Sequence, residues 1–167
     1  DLLIQSEAGF VSVTGTDETP SKAGPSIADI SAGMYAYTNI LAALMHRQQT
    51  GEGQHIDISL FDSQASALLN TASSWLNAGT KLGRTGNDHP SAAPYGVYEV
   101  DDGYIIVATF NDREFARLAK VLGHPEWITD PRFAYNGDRV RNRPALKAAV
   151  SEALRGKTRA EWVQILN

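Results

Sequence analysis

The 167-residue chain contains no cysteine. That absence removes disulfides, thiolate nucleophiles, iron–sulfur ligation and cysteine-type zinc sites together. No stretch approaches the roughly 18 unbroken apolar residues that a membrane-spanning helix needs, so none is expected. Positive charge is not in excess either. Lys and Arg number 15 against 19 Asp and Glu, a net charge of −4, and the basic residues are scattered. Nucleic-acid binding therefore lacks its electrostatic footprint. Internal repeats, low-complexity tracts and a secretory leader are also lacking, which makes the cytoplasm the expected compartment. What is present, 43% hydrophobic and 20% charged residues, is the composition of a folded globular protein. The chain opens on Asp1-Leu2-Leu3-Ile4 and closes just after a new helix has been announced. It reads as a piece of a longer chain.

Periodicity predicts a helix over residues 26–49, with Ile30, Met34, Tyr37, Leu41, Leu44 and Met45 on one face. Ser26 followed by Asp29 forms a capping pattern at its start, and Gly51 is its stop. The alternation in Ile56-Asp57-Ile58-Ser59-Leu60 predicts a strand with one face buried. A further helix is expected to bury Leu68, Leu69, Ala72, Trp75 and Leu76 and to end at Gly79. Residues 79–95 form a long loop rich in glycine and proline, of a length usually given to linkers or to function. Two strands joined at Asp101-Asp102-Gly103 follow, then helices opened by Asn111 or Asp112, by Pro144 and by the Thr158 to Glu161 capping box. The pattern changes across the loop. Residues 1–78 are read as part of one domain, 79–95 as a linker and candidate active-site loop, and 96–167 as a second, truncated domain.

Asp29 is the first candidate for chemistry. The residues alone leave two readings open: a helix cap that offsets the dipole, or a carboxylate nucleophile beside a glycine, Gly33, that lets a substrate approach. Thr50-Gly51-Glu52-Gly53-Gln54 lacks the order and the Lys of a phosphate-binding loop and is read as a helix stop and turn. His55 and Asp57 would share a strand face, but two ligands do not make a metal site, and no metal is expected. His46 is read as a surface or packing residue, His124 as a turn residue, and Asp101 and Asp102 as turn residues. In the loop, Gly83 to Pro90 is either a flexible linker or a mobile active-site loop in which Arg84, Asn87 or His89 donates to an anionic substrate.

Taken together, these segments resemble a known family. Gly24-Pro25-Ser26-Ile27-Ala28-Asp29-Ile30-Ser31-Ala32-Gly33-Met34, the Thr50 to Asp62 stretch, Gly86-Asn87-Asp88-His89-Pro90, Pro94-Tyr95-Gly96 and Asp130-Pro131-Arg132-Phe133 are similar to the class III CoA-transferases. That is the family of formyl-CoA transferase and the carnitine and bile-acid enzymes, and the likeness covers nearly all 167 residues. The resemblance implies an α/β fold, part of a Rossmann-like large domain followed by a smaller α/β domain, in subunits interlocked as a homodimer. It implies that Asp29 is the nucleophile, that coenzyme A arrives as an acyl-CoA substrate, and that Gly33, Gly86, Asn87 and His89 contact substrate or CoA. No metal is implied. The acyl-CoA and a carboxylic acid would be the partners, with most CoA contacts supplied by a segment preceding Asp1. The His-Pro and Pro-Tyr pairs look most similar to the succinyl-CoA-dependent dicarboxylate transferases. Two rivals stay open: an α-methylacyl-CoA racemase of the same fold, and a non-catalytic acyl-CoA-binding fragment.

Overall fold

The computed structural model describes residues 1–166. The chain divides into two compact units, residues 1–86 and 87–167, so the division falls within the 79–95 segment.

The first unit is helical among the described residues. Helix α1 (Leu2–Glu7) leads through a short 3₁₀ turn to the long helix α2 (Ile27–Thr50), which is followed by α3 (Leu60–Ser66) and α4 (Leu69–Ala78). Gly51 ends α2 in the left-handed conformation, its N–H donating to Arg47 O. Gly79 ends α4 the same way. Two expectations fail here. Residues 56–60 form no strand: the segment is unpaired, and Leu60 already begins α3, capped by the Ser59 hydroxyl. Alternating apolar residues describe a strand's side chains, but a strand exists only where another backbone pairs with it. The one sheet among the described residues is two-stranded.

The second correction concerns burial. The apolar residues that periodicity puts on one face of α2 are exposed, Met34 and Tyr37 at 65% each. Among the described residues, α3 and α1 make the main helix contacts with it. The apolar side of α4 is exposed too, with Leu76 at 79%, although Trp75 helps line an open apolar cleft of about 320 Å³ with Val13, Leu68 and Leu82. Gln64 lies fully buried in α3, and its amide finds no partner among the described residues.

The second unit builds a conventional core. Strands β1 (Tyr95–Val100) and β2 (Gly103–Ala108) form an antiparallel hairpin in which Tyr95 faces Ala108 and Val100 faces Gly103. Helices α5 (Asp112–Val121), α6 (Asn136–Arg141), α7 (Arg143–Ala153) and α8 (Arg159–Leu166) follow. Tyr98, Val100, Ile105 and Val107 from the hairpin pack with Phe115 and Leu118 of α5, Leu146 and Val150 of α7, and Trp162 of α8. Caps define the helix starts. Asn111 accepts from the Glu114 N–H at 2.9 Å, while the Glu114 carboxylate accepts from the Phe110 N–H at 2.8 Å. The Thr158–Glu161 box forms as the sequence predicts, Glu161 accepting from the Thr158 N–H at 2.7 Å. The two turn aspartates do more than turn the chain: Asp101 accepts from the Gly156 N–H at 3.0 Å and Asp102 from the Arg159 N–H at 2.7 Å. They fasten the hairpin to the start of α8.

Candidate active site

Asp29 sits in the first turn of α2, and its side chain is 54% exposed. The cap reading requires its carboxylate, or the Ser26 hydroxyl, to accept from free N–H groups at the helix start. Neither does. The Ala28 N–H donates instead to Asp1 Oδ1 at 3.1 Å, so the cap is supplied from 27 positions away. The expected Ser26 and Asp29 capping pattern is thus replaced by a tertiary one.

The turn ahead of α2 is held from the same side. Gln5, fully buried, donates to Asp1 Oδ2 at 2.7 Å and accepts from the Ala23 N–H at 2.8 Å. Lys22 Nζ donates to the carbonyls of Ala23 and Gly24 at 2.9 and 3.1 Å. Every polar end of this network is used in placing the first turn, which leaves the Asp29 carboxylate available. Gly33, one turn along the helix, is exposed, and a Cβ built there would meet nothing within 4 Å. Positions i and i+4 are neighbours on a helix surface, so the ground beside Asp29 is clear.

The 79–95 segment is hydrogen-bonded to the unit on each side of the division. Its first half is fastened within the first unit: Arg84 donates to Thr16 O at 2.7 Å and to Asp17 O at 3.1 Å, and Gly86 N–H donates to Gly15 O at 2.7 Å. Gly86 has φ +60°, a left-handed turn suited to glycine, so its role in this structure is to turn the chain. Asn87 is exposed.

The second half is fastened within the second unit. Five consecutive carbonyls are occupied: Pro90 O and Ala92 O by Arg143, Ser91 O by Asn136, Ala93 O by Arg139, and Pro94 O by the Thr109 N–H and hydroxyl. The Ala93–Pro94 peptide is cis. Arg139 is fully buried and also donates to Phe133 O at 2.9 Å and to Asp112 at 2.7 Å, its guanidinium resting on the Phe115 ring. Lys147 pairs with Asp88 at 2.8 Å. Asn136, Arg139 and Arg143 lie 45 to 53 positions from the carbonyls they hold, beyond any local sequence pattern.

His89 stands on this fixed segment with its ring 4.9 Å from Tyr95 and 5.2 Å from Phe110, centre to centre. His124 is stacked on Trp127 at 4.5 Å and bonded to Glu126, a packing role. His46 and His55 are exposed, and no group of three metal-ligating side chains occurs among the described residues.

Comparison with known proteins identifies the family. The model of CoA-transferase family III matches residues 1–167. The chain belongs to that family. An acetyl-CoA:oxalate CoA-transferase of Acetobacter aceti is 36% identical to this family III chain over all of it, covering 43% of that protein. A succinate–glutarate CoA-transferase of Agrobacterium fabrum is 41% identical over 90% of the chain and 38% of its own length. Among solved structures, a CaiB/BaiF family protein of Brucella suis superposes on 99% of the chain with a TM-score of 0.82 and 42% identity, over 44% of that chain. The family III segment described here thus spans about two-fifths of the relatives it matches.

Proposed function

We propose that this protein moves CoA from an acyl-CoA donor to a carboxylic acid through an aspartyl-CoA thioester on Asp29. The observation that carries the reading is the division of labour at α2: Asp1 caps the helix, and the Asp29 carboxylate stays exposed beside Gly33. Family membership supplies the reaction class, and relatives named for succinyl-CoA or succinate make succinyl-CoA the first donor to try.

In this mechanism an Asp29 oxygen attacks the thioester carbonyl, the C–S bond breaks, and CoA leaves as the thiolate. The mixed anhydride is then attacked by that thiolate at the Asp29 carbonyl carbon. The donor acid leaves as its carboxylate, and Asp29 is left as a CoA thioester. The acceptor carboxylate attacks in turn, thiolate is expelled and returns to the acceptor's acyl carbon, and Asp29 is regenerated. No net proton or water is consumed. The activated carbonyls are of similar energy, so the residues serve to position reactants and to stabilise developing oxyanions. The helix start favours negative charge at Asp29 in each half-reaction.

Gly33 would give the thioester room, and Gly86, Asn87 and His89 are the residues of the loop segment assigned to substrate or CoA. The exposed apolar stripe of α2 fits a protein whose further parts, or second subunit, cover it, as an interlocked homodimer would. The absence of a membrane-spanning helix among the described residues is compatible with a cytoplasmic enzyme.

The test is intact mass spectrometry of the whole protein after brief incubation with succinyl-CoA, with hydroxylamine trapping mapped by peptide digestion. An adduct on the Asp29 peptide is expected. Its absence, together with solvent-deuterium exchange at the α-carbon of a branched acyl-CoA, would replace transfer by racemisation.

A further inference from the structure

The Ser91 N–H points at His89 Nδ1, 3.2 Å away, and the Ser91 hydroxyl lies 3.4 Å from the same nitrogen. A backbone N–H can only donate, so Nδ1 must accept, and the ring proton sits on Nε2. No partner for Nε2 is found among the described residues. The imidazole therefore presents one N–H of fixed direction.

Its support is rigid. Every carbonyl from Pro90 to Pro94 is taken by Arg143, Asn136, Arg139 or Thr109, and the His89 N–H itself donates to Tyr95 O at 3.1 Å. The ring is partly buried between Tyr95 and Phe110, which themselves meet edge-on at 5.2 Å. A surface loop that serves only to connect does not require three side chains of a distant helical pair to hold its backbone. A lone donor on such a base, walled by two aromatic rings, is suited to orient an acceptor oxygen.

We propose that His89 donates its Nε2–H to a carboxylate oxygen of the acid substrate. This rests on the CoA-transfer reading and names what that loop binds. Asn136, Arg139 and Arg143 are positioning residues, acting through the segment they fasten. The carboxylate is either the one that reacts or the distal one of a dicarboxylate, and the experiment separates the two.

His89→Asn keeps an acceptor near the Nδ1 position for the Ser91 N–H but removes the Nε2 donor. His89→Gln places an amide N–H near Nε2 instead. In the intact protein, KM is measured for glutarate and for pentanoate, a monocarboxylate of the same length, with thermal unfolding confirming that each variant folds. Loss of a hydrogen bond to a charged oxygen is expected to raise KM about tenfold or more in His89→Asn, with kcat little changed and His89→Gln recovering part of the loss. A rise for glutarate alone assigns the distal carboxylate, and a rise for both acids assigns the reacting one. Unchanged KM for both acids, or equal damage in both variants, overturns the proposal. Calorimetric titration of glutarate into the unaltered protein and His89→Asn reads the contact without turnover. If the unaltered protein transfers CoA to no acid, the function reading falls while this titration still decides the role of His89.

Discussion

The carboxylate of Asp1 accepts the Ala28 N–H at 3.1 Å, and in doing so it takes over the role that the sequence offers to Asp29. Helix α2 is capped from α1's own start, and the residue one step beyond Ala28 keeps its carboxylate exposed and uninvolved in the cap. Gln5 ties the two ends together, bonded to Asp1 on one side and to Ala23 on the other. Two substitutions therefore separate what a single acidic residue would otherwise combine. Asp29→Asn is expected to shift folding stability by less than about 0.5 kcal/mol, measured by urea unfolding, and to abolish the trapped adduct. Asp1→Ala is expected to cost about 1 kcal/mol of stability and to lower kcat while the adduct still forms on Asp29.

Gly33 predicts opposite signs for stability and activity. A Cβ there meets nothing within 4 Å, and glycine inside a helix is less favourable than alanine. Gly33→Ala should stabilise the fold by roughly 0.5–1 kcal/mol in chemical denaturation. Gly33→Leu should fold as well, yet raise KM for the acyl-CoA, because its side chain occupies the ground beside Asp29. Unaltered kinetics in Gly33→Leu would show that substrate approaches from elsewhere.

Arg139 is expected to tolerate no substitute. Its guanidinium serves Ala93 O, Phe133 O and Asp112 from a fully buried position, a geometry that a lysine ammonium cannot span. Arg139→Lys should destabilise the second unit by about 3 kcal/mol, because several buried carbonyls lose their donor at once. It should also increase amide hydrogen exchange in residues 89–95 ahead of β1 itself. Exchange that rises uniformly would argue against a local clamp.

Tyr98 makes alkaline stability a readable quantity. Burial, with the nearby Asp88 charge adding to it, pushes its phenol up to about 12. A phenol that ionises at higher pH in the folded state stabilises the fold fully below its unfolded pKa of about 10, and that contribution is lost as pH rises from about 10 to 12. The loss should reach about 3 kcal/mol at the upper end. Tyr98→Phe should lack this component, so between pH 10 and 12 the tyrosine protein should lose stability relative to the phenylalanine variant, read as a widening or crossing shift between their urea-unfolding curves.

Much of the local structure was legible. Helix α2, its stop at Gly51, the hairpin at Asp101-Asp102, and the Asn111 and Thr158 caps form as their residues predict, because caps, turns and helical periodicity depend on neighbours within four positions. Family membership was legible too, since the motifs that carry it are contiguous. The strand at 56–60 failed because pairing needs a second backbone. The buried side expected of α4 failed because an apolar stripe records that a helix packs, without recording what packs on it; the apolar stripe of α2 is exposed for the same reason. Of the site, Asp29 and Gly33 stood out by their spacing. Asp1, Gln5, Asn136, Arg139 and Arg143 did not, since nothing local distinguishes a surface arginine from a buried one that holds a carbonyl 46 positions away.

By itself, then, the sequence determined the helices, the hairpin, the family and the candidate nucleophile, all features written in short-range patterns. Only the tertiary structure decided that Asp29 is spared from capping, that the carbonyls of Pro90 to Pro94 are each hydrogen-bonded, and that the Ser91 N–H meets His89 Nδ1. The first two depend on which donor meets which acceptor across dozens of residues. Hydrogen-bond satisfaction inside a packed unit is a property of the whole arrangement and of no single stretch of chain.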